Sequence, residues 1–173
     1  MHVTECDVPS DSTLDRALID SADFRDSYEV RLNRSELGIV DIFFAIFAHL
    51  PLLLKILLIV RNAVASLIGL EAPTASEILH IEIKDHYAVG DKIGVWPIFF
   101  LGPNELVAGR DNKHMDFRLS VLKMADGDAM SVVVTTICSV RNRFGKYYLW
   151  IIVPFHKRGV QQLMSNAVVA GRL

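Results

Sequence analysis

Cysteine is scarce. Cys6 and Cys138 are the only two in 173 residues, one near the N-terminus and one inside an apolar stretch, which excludes a disulfide framework and a zinc site built on thiolates. Histidine spacing is no better suited to a metal: His80 and His86 are six apart, His114 is remote from both, and neither HxH nor HxxxH occurs, so no metal is expected. No Gly-rich run of the dinucleotide-binding kind is present, and no serine stands in a strand-turn-helix elbow, so neither a bound cofactor nor serine-based nucleophilic catalysis is expected. Internal repeats and low-complexity linkers are absent too.

Charge of one sign is also lacking. The net charge is −2, but residues 1–100 hold eight Lys/Arg against fifteen Asp/Glu and residues 101–173 hold ten against five, which argues for internal pairing. The cluster His156-Lys157-Arg158 is too short for the basic, aromatic-laced stripe that nucleic acid requires, so no nucleic-acid partner is expected. The first seven residues, MHVTECD, are acidic and lack the basic and apolar regions of a secretion signal. A reducing cytoplasm is the expected compartment.

Apolar residues are plentiful, at 51%. A chain of this length buries roughly 70% of its unfolded surface as one domain, so residues 1–173 are read as a single domain with 1–21 as a peripheral segment. The run IFFAIFAHLPLLLKILLIV, residues 42–60, approaches the length of a membrane span. Pro51 in mid-run, Lys55 near its centre and His49 favour two packed helices instead.

The periodicity supports that division. SYEVRL, 27–32, alternates as a strand does. Asn33 followed by Glu36 has the spacing of a capping box, predicting a helix from about 34 to 49. Pro51 suits the first turn of a second helix and Gly69 its end. Residues 77–90 read as a strand, as do 92–101, 104–110, 113–124 and 129–141, for a total of five or six. From 144 to 173 the pattern is one long helix, bent by Pro154. The expected fold is therefore α+β of the helix-grip, START-like kind: a curved antiparallel sheet, a helical hairpin after the first strand, and a long C-terminal helix over the sheet.

Four segments resemble one family as a set: ADFRDSYEVRL (22–32), GDKIG (90–94), ELVAGRDNKHMDFRLSV (105–121) and RNRFGKYYLWIIVPFHK (141–157). Together they are similar to the bacterial family catalogued as domain of unknown function 2867, from about Ala22 to the C-terminus. Its members occur alone or joined to short-chain-dehydrogenase-like domains, and this chain resembles the free-standing form. The family resembles the START and polyketide-cyclase-like superfamily, which implies an apolar ligand held between sheet and helix.

The densest chemistry lies in GRDNKHMDFRLSV, 109–121. A two-residue turn at Asp111-Asn112 pairs Ala108 with Met115 and Glu105 with Arg118; a turn at Asp126-Gly127 pairs Phe117 with Thr136 and Leu119 with Val134. Leu106, Ala108, Met115, Phe117, Leu119, Val121, Val132, Val134 and Cys138 then form a core face. Glu105, His114, Asp116, Arg118, Ser120, Thr135 and Ser139 fall on the opposite face, expected to be a solvated ion-pair ladder. The competing expectation makes His114 a general base oriented by Asp116, with Arg118 polarising a carbonyl. His156 falls on the sheet-facing side of the last helix, as a satisfied core histidine or as a polar anchor for a ligand. Tyr28, Trp96, Tyr147 and Tyr148 are candidates to line the same cavity, and Phe117 points toward it.

The expected function is binding of a small or elongated apolar molecule, with Tyr28, Trp96, Phe117, Tyr148 and His156 at the site. The alternative is a cyclase or aromatase-type enzyme that uses His114, Asp116, Arg118 or His156 on a polyketide-like substrate. A third expectation makes the apolar hairpin of residues 37–70 an interface with a membrane surface or a second copy.

Overall fold

The computed structural model describes residues 2–51, 62, 83–127 and 129–173. Along them run β1 (Thr4–Glu5), α1 (Arg16–Asp20), β2 (Phe24–Leu32), α2 (Ile39–Phe47), β3 (Lys92–Ile93), β4 (Trp96–Leu101), β5 (Glu105–Asp111), β6 (Met115–Asp126), β7 (Ala129–Val140) and α3 (Arg143–Val169). The strands form one open antiparallel sheet in the order β1-β2-β7-β6-β5-β4-β3. With its helices set apart from the sheet, the class is α+β. Among the described residues seven strands stand where five or six were expected, because β1 and β3 have only two residues each, too few for alternation to declare them. The single strand expected over 92–101 folds back on itself. Ile93 pairs with Trp96 across Gly94-Val95, and Gly94 supplies the positive φ of +58° that a tight hairpin turn requires.

Both long hairpins slip from their expected pairings. Asn112 Oδ1 accepts the N–H groups of His114 and Met115, each at 2.9 Å, and this side-chain-built turn leaves residues 112–115 between the paired Asp111 and Asp116. Ala108 therefore faces Leu119 rather than Met115, and Glu105 faces Leu122 rather than Arg118. On β7, Phe117 faces Cys138 and Leu119 faces Thr136, one pair further along than expected. Each slip is an even number of residues. An even slip leaves every side chain on its own face, so Leu106, Ala108, Leu119, Val121, Val132 and Val134 still form the buried core face.

α2 starts later than the capping-box spacing indicates. Gly38 is its N-cap, and Glu36 pairs with Arg34 at 3.0 Å instead of reaching back to Asn33. The reason is tertiary: Lys123 of β6 donates to the carbonyls of Ser35 (2.6 Å) and Leu37 (2.9 Å), holding that stretch as a loop. Ile39, Ile42, Phe43, Ile46 and Phe47 of α2 are buried against the sheet and the C-terminal half of α3, where Val160, Leu163, Met164 and Ala167 complete the core. The expected second helix, 51–69, lies outside the described residues apart from Pro51 and Asn62, a buried helical residue. Of the strand expected over 77–90, residues 83–90 are loop and turn and the rest lie outside. Among the described residues no helix is long and apolar enough to cross a membrane.

α3 is uninterrupted through Pro154, whose exposed position lets water serve the Trp150 carbonyl that its missing N–H frees. Asn142 caps the helix by accepting the Gly145 N–H at 3.0 Å. Gly145 is required there: a Cβ would stand 2.7 Å from the His114 carbonyl oxygen. Tyr147, a candidate for the cavity, is instead 70% exposed, because its side of the helix turns away from the sheet.

Candidate functional site

The polar face of the sheet is drier than expected. The N-terminal segment crosses it, burying Leu14 and Ile19 against Val107 and Ile137. Beneath that cover Glu105 is only 3% exposed and accepts from Ser12 Oγ (2.7 Å), Thr13 N (2.6 Å) and Ser120 Oγ (2.5 Å). Among the described residues the ion pairs of this face stand at its rim. Arg118 engages Asp111 and lies 3.6 Å over the Phe99 ring, and that partner holds the Asp111 carboxyl below its ordinary range. The solvated ladder is thus corrected to a dry hydrogen-bonded centre with a charged edge, because the first twenty residues exclude water from it.

The expected grouping of His114, Asp116 and Arg118 is also taken apart. Asp116 accepts from Arg141 Nε (3.0 Å) and NH2 (2.8 Å), Arg118 is spent on Asp111, and His114 Nδ1 accepts from Asn142 Nδ2 at 2.9 Å. Three side chains from one hairpin each bind a different neighbour. The result ties the β5–β6 connection to the start of α3.

The other face gathers an unexpected group. On β2 the alternation sets Phe24, Asp26, Tyr28, Val30 and Leu32 in one phase, and β7 pairs Cys138, Thr136, Val134 and Val132 against the first four. α3 lies over this face and lowers His156 onto it. Its Nε2 is 3.0 Å from Thr136 Oγ1 and 3.5 Å from Asp26 Oδ1, while the Phe24 ring meets the imidazole edge-on with centroids 5.7 Å apart. The Asp26 side chain is 0% exposed, and neither carboxylate oxygen makes a hydrogen bond. The Tyr28 hydroxyl, on the same face, is buried without a well-formed hydrogen bond, between the Asp26 carboxylate and the Gln161 side chain. Burial first, and then the Asp26 and Glu5 charges, push the Tyr28 phenol well above its usual range, so it stays a neutral donor. Continuing across the sheet, the row of Asp26 and Thr136 becomes Leu119, Ala108 and Ile98. A polar head and an apolar floor therefore share one surface.

Chemically, Nε2 sits between a hydroxyl and a carboxylate. That arrangement fixes the orientation of the ring, with a hydroxyl and a carboxylate both within reach of Nε2.

Of the residues singled out in the sequence, Tyr28 and His156 meet at this site. Trp96 and Phe117 share the same face but form a second group, their rings 6.1 Å apart, with Phe43 and Phe47 of α2 against Trp96 at 6.3 and 6.2 Å. Tyr148 stands half-buried in the first half of α3. Asp26 and Thr136 were not anticipated. Their signal was present: an aspartate in the apolar phase of FRDSYEVRL, visible once the strand is started at Phe24 instead of Ser27. A depression of about 360 Å³, with Asp26 among its lining residues, opens at the sheet edge between residues 5–8 and 25–27. Cys6 on its wall is pushed up to about 11 by burial, then by Glu29, Asp7 and Glu5, so it is a poor nucleophile at neutral pH.

A family model described as "Protein of unknown function (DUF2867)" matches residues 18–163, a stretch that contains both Asp26 and His156. No curated protein matches the chain, and no solved structure does.

Proposed function

The chain belongs to the family described as protein of unknown function DUF2867, and from that membership we propose that it binds a small, largely apolar molecule between the sheet and α3, in the manner of a START-like helix-grip protein. The observation that carries this reading is Asp26: a carboxylate with no exposed side-chain surface, no well-formed hydrogen bond, and His156 at 3.5 Å, on a face that is apolar apart from Tyr28 and Thr136. A buried unpaired polar group costs stability, and ligand sites are where such a cost has a use, since a few polar groups on an apolar wall orient a bound molecule. In this reading Tyr28, Thr136 and His156 hold the polar end of the ligand. Phe117 and Trp96 lie along its apolar body.

The test is direct. Native mass spectrometry of the purified protein, followed by denaturing extraction, identifies any molecule carried through purification. A thermal-shift panel of long-chain, sterol and aromatic compounds follows, in which a ligand at a hundredfold excess over its Kd adds ~2.7 kcal/mol. If the panel produced no shift and a ligand-free experimental structure had a filled interior, the reading would be abandoned.

One observation favours a second reading, acid-base catalysis on a bound polyketide-like substrate: the same ring nitrogen of His156 faces both Thr136 and Asp26. Chemical change of an extracted ligand on incubation with the protein, stopped by His156→Gln with binding retained, would put it first. The candidate membrane-surface or dimer role for residues 37–70 has less support, because α2 directs its buried apolar residues into the core of its own chain.

A further inference from the structure

The geometry points to a ligand whose head donates hydrogen bonds and carries no negative charge, a protonated amine ahead of a hydroxyl, received by Asp26 beneath α3. This rests on the apolar-ligand reading above and adds the class of head group to it.

The inference follows from which half of the hydrogen-bonding inventory is missing. An ionised carboxylate only accepts, through two oxygens with about four lone-pair directions. Both Asp26 oxygens are buried and neither makes a well-formed hydrogen bond, the Tyr28 hydroxyl standing beside them as a loosely placed donor. Besides Tyr28, His156 Nε2 lies at 3.5 Å from one of them and has a closer partner in Thr136 Oγ1 at 3.0 Å. The deficit at this spot is of donors. An ammonium supplies three and a hydroxyl one, whereas a carboxylate supplies none at neutral pH.

Charge acts in the same direction. Glu5 stands opposite Tyr28 on β1, and Asp26 and Glu5 together help keep the Tyr28 proton in place. The Cys6 thiol on this edge is pushed up by burial first and then by Glu29, Asp7 and Glu5. The cations nearby have other work. Lys157 is held by Glu5 at 3.2 Å, and Arg25 points to the opposite face, where it donates to the Ile19 carbonyl at 3.3 Å. A second anion placed beside Asp26 would therefore meet like charge in a site shielded from water, where repulsion is least screened. A cation would meet attraction.

Three ten-carbon probes that differ only in the head separate the possibilities: decylamine, decanol and decanoate, titrated into the full-length protein by calorimetry below their aggregation limits. Decylamine is expected to bind tightest and decanoate weakest, the two separated by about ten- to a hundredfold, the effect of one hydrogen bond to a charged group. In Asp26→Asn the amine preference should collapse while decanol binding survives. Decanoate binding as tightly as decylamine, or an amine preference that persists in Asp26→Asn, would overturn the inference and leave the apolar-ligand reading standing. Failure of all three probes and of the wider panel would remove both. Should Asp26→Asn not fold, the order of the three probes on the wild-type protein decides by itself.

Discussion

Replacing Asp26 with asparagine tests the site through stability alone, before any ligand is known. The change keeps shape and volume and removes the charge, and two effects of opposite sign compete. Removing one member of a well-made buried ion pair costs about 3–5 kcal/mol, because the partner is stranded. Removing a buried carboxylate that lacks donors relieves a desolvation penalty of about 1–3 kcal/mol. The geometry decides between them: Oδ1 is 3.5 Å from His156 Nε2, no hydrogen bond reaches either oxygen, and His156 keeps its 3.0 Å contact with Thr136 when Asp26 is neutralised. The pair is loosely made, so relief wins. Asp26→Asn in the ligand-free protein is expected to gain about 1–2 kcal/mol, or roughly 2–8 °C in Tm for a domain of this size. Urea melts at pH 7 with an unchanged slope would measure it, as a site that holds an unpaired group for function gives up stability. A loss of about 3 kcal/mol, matched by His156→Gln and not deepened in the double variant, would make the group a structural network and refute the reasoning.

Three further outcomes are expected. Glu105→Ala strands the donors of Ser12, Thr13 and Ser120, so it should cost about 3 kcal/mol and expose the N-terminal segment to trypsin at Arg16, seen as a new early fragment in limited proteolysis. Gly145→Ala sets a Cβ 2.7 Å from both the His114 carbonyl oxygen and Val140 Cγ1; an overpacking loss of about 1–3 kcal/mol should appear in thermal melts. The Cys6 thiol, pushed up to about 11, is a thiolate in only about one molecule in a thousand at pH 8, so iodoacetamide labelling should be slow there and climb as pH approaches that value. Labelling that levels off near pH 9 would show an ordinary thiol.

The class and the faces of the sheet were legible because they depend on parity. A strand has a period of two, so a hairpin that slips by an even number of residues exchanges partners without turning a side chain over. Leu106, Ala108, Leu119 and Val121 were placed on the core face from alternation alone, although none of the predicted β5–β6 partners was correct. What alternation could not supply was the turn itself, where Asn112 binds two backbone N–H groups, or the start of α2, where Lys123 of a distant strand outweighs a local capping pattern.

The sequence by itself therefore determined the α+β class, the long last helix, the apolar phase of each long strand and the side of that helix on which His156 stands, because all of these are periodicities carried by neighbouring residues. Only the tertiary structure decided that the polar face is covered by residues from the N-terminus, that His114, Asp116 and Arg118 each turn to a separate partner, and that His156 lands between Thr136 and Asp26. Asp26 and His156 are 130 positions apart. Their meeting depends on how far along the sheet one helix is docked, a distance set by packing at Gly145 and against α2 and written into no local pattern of residues.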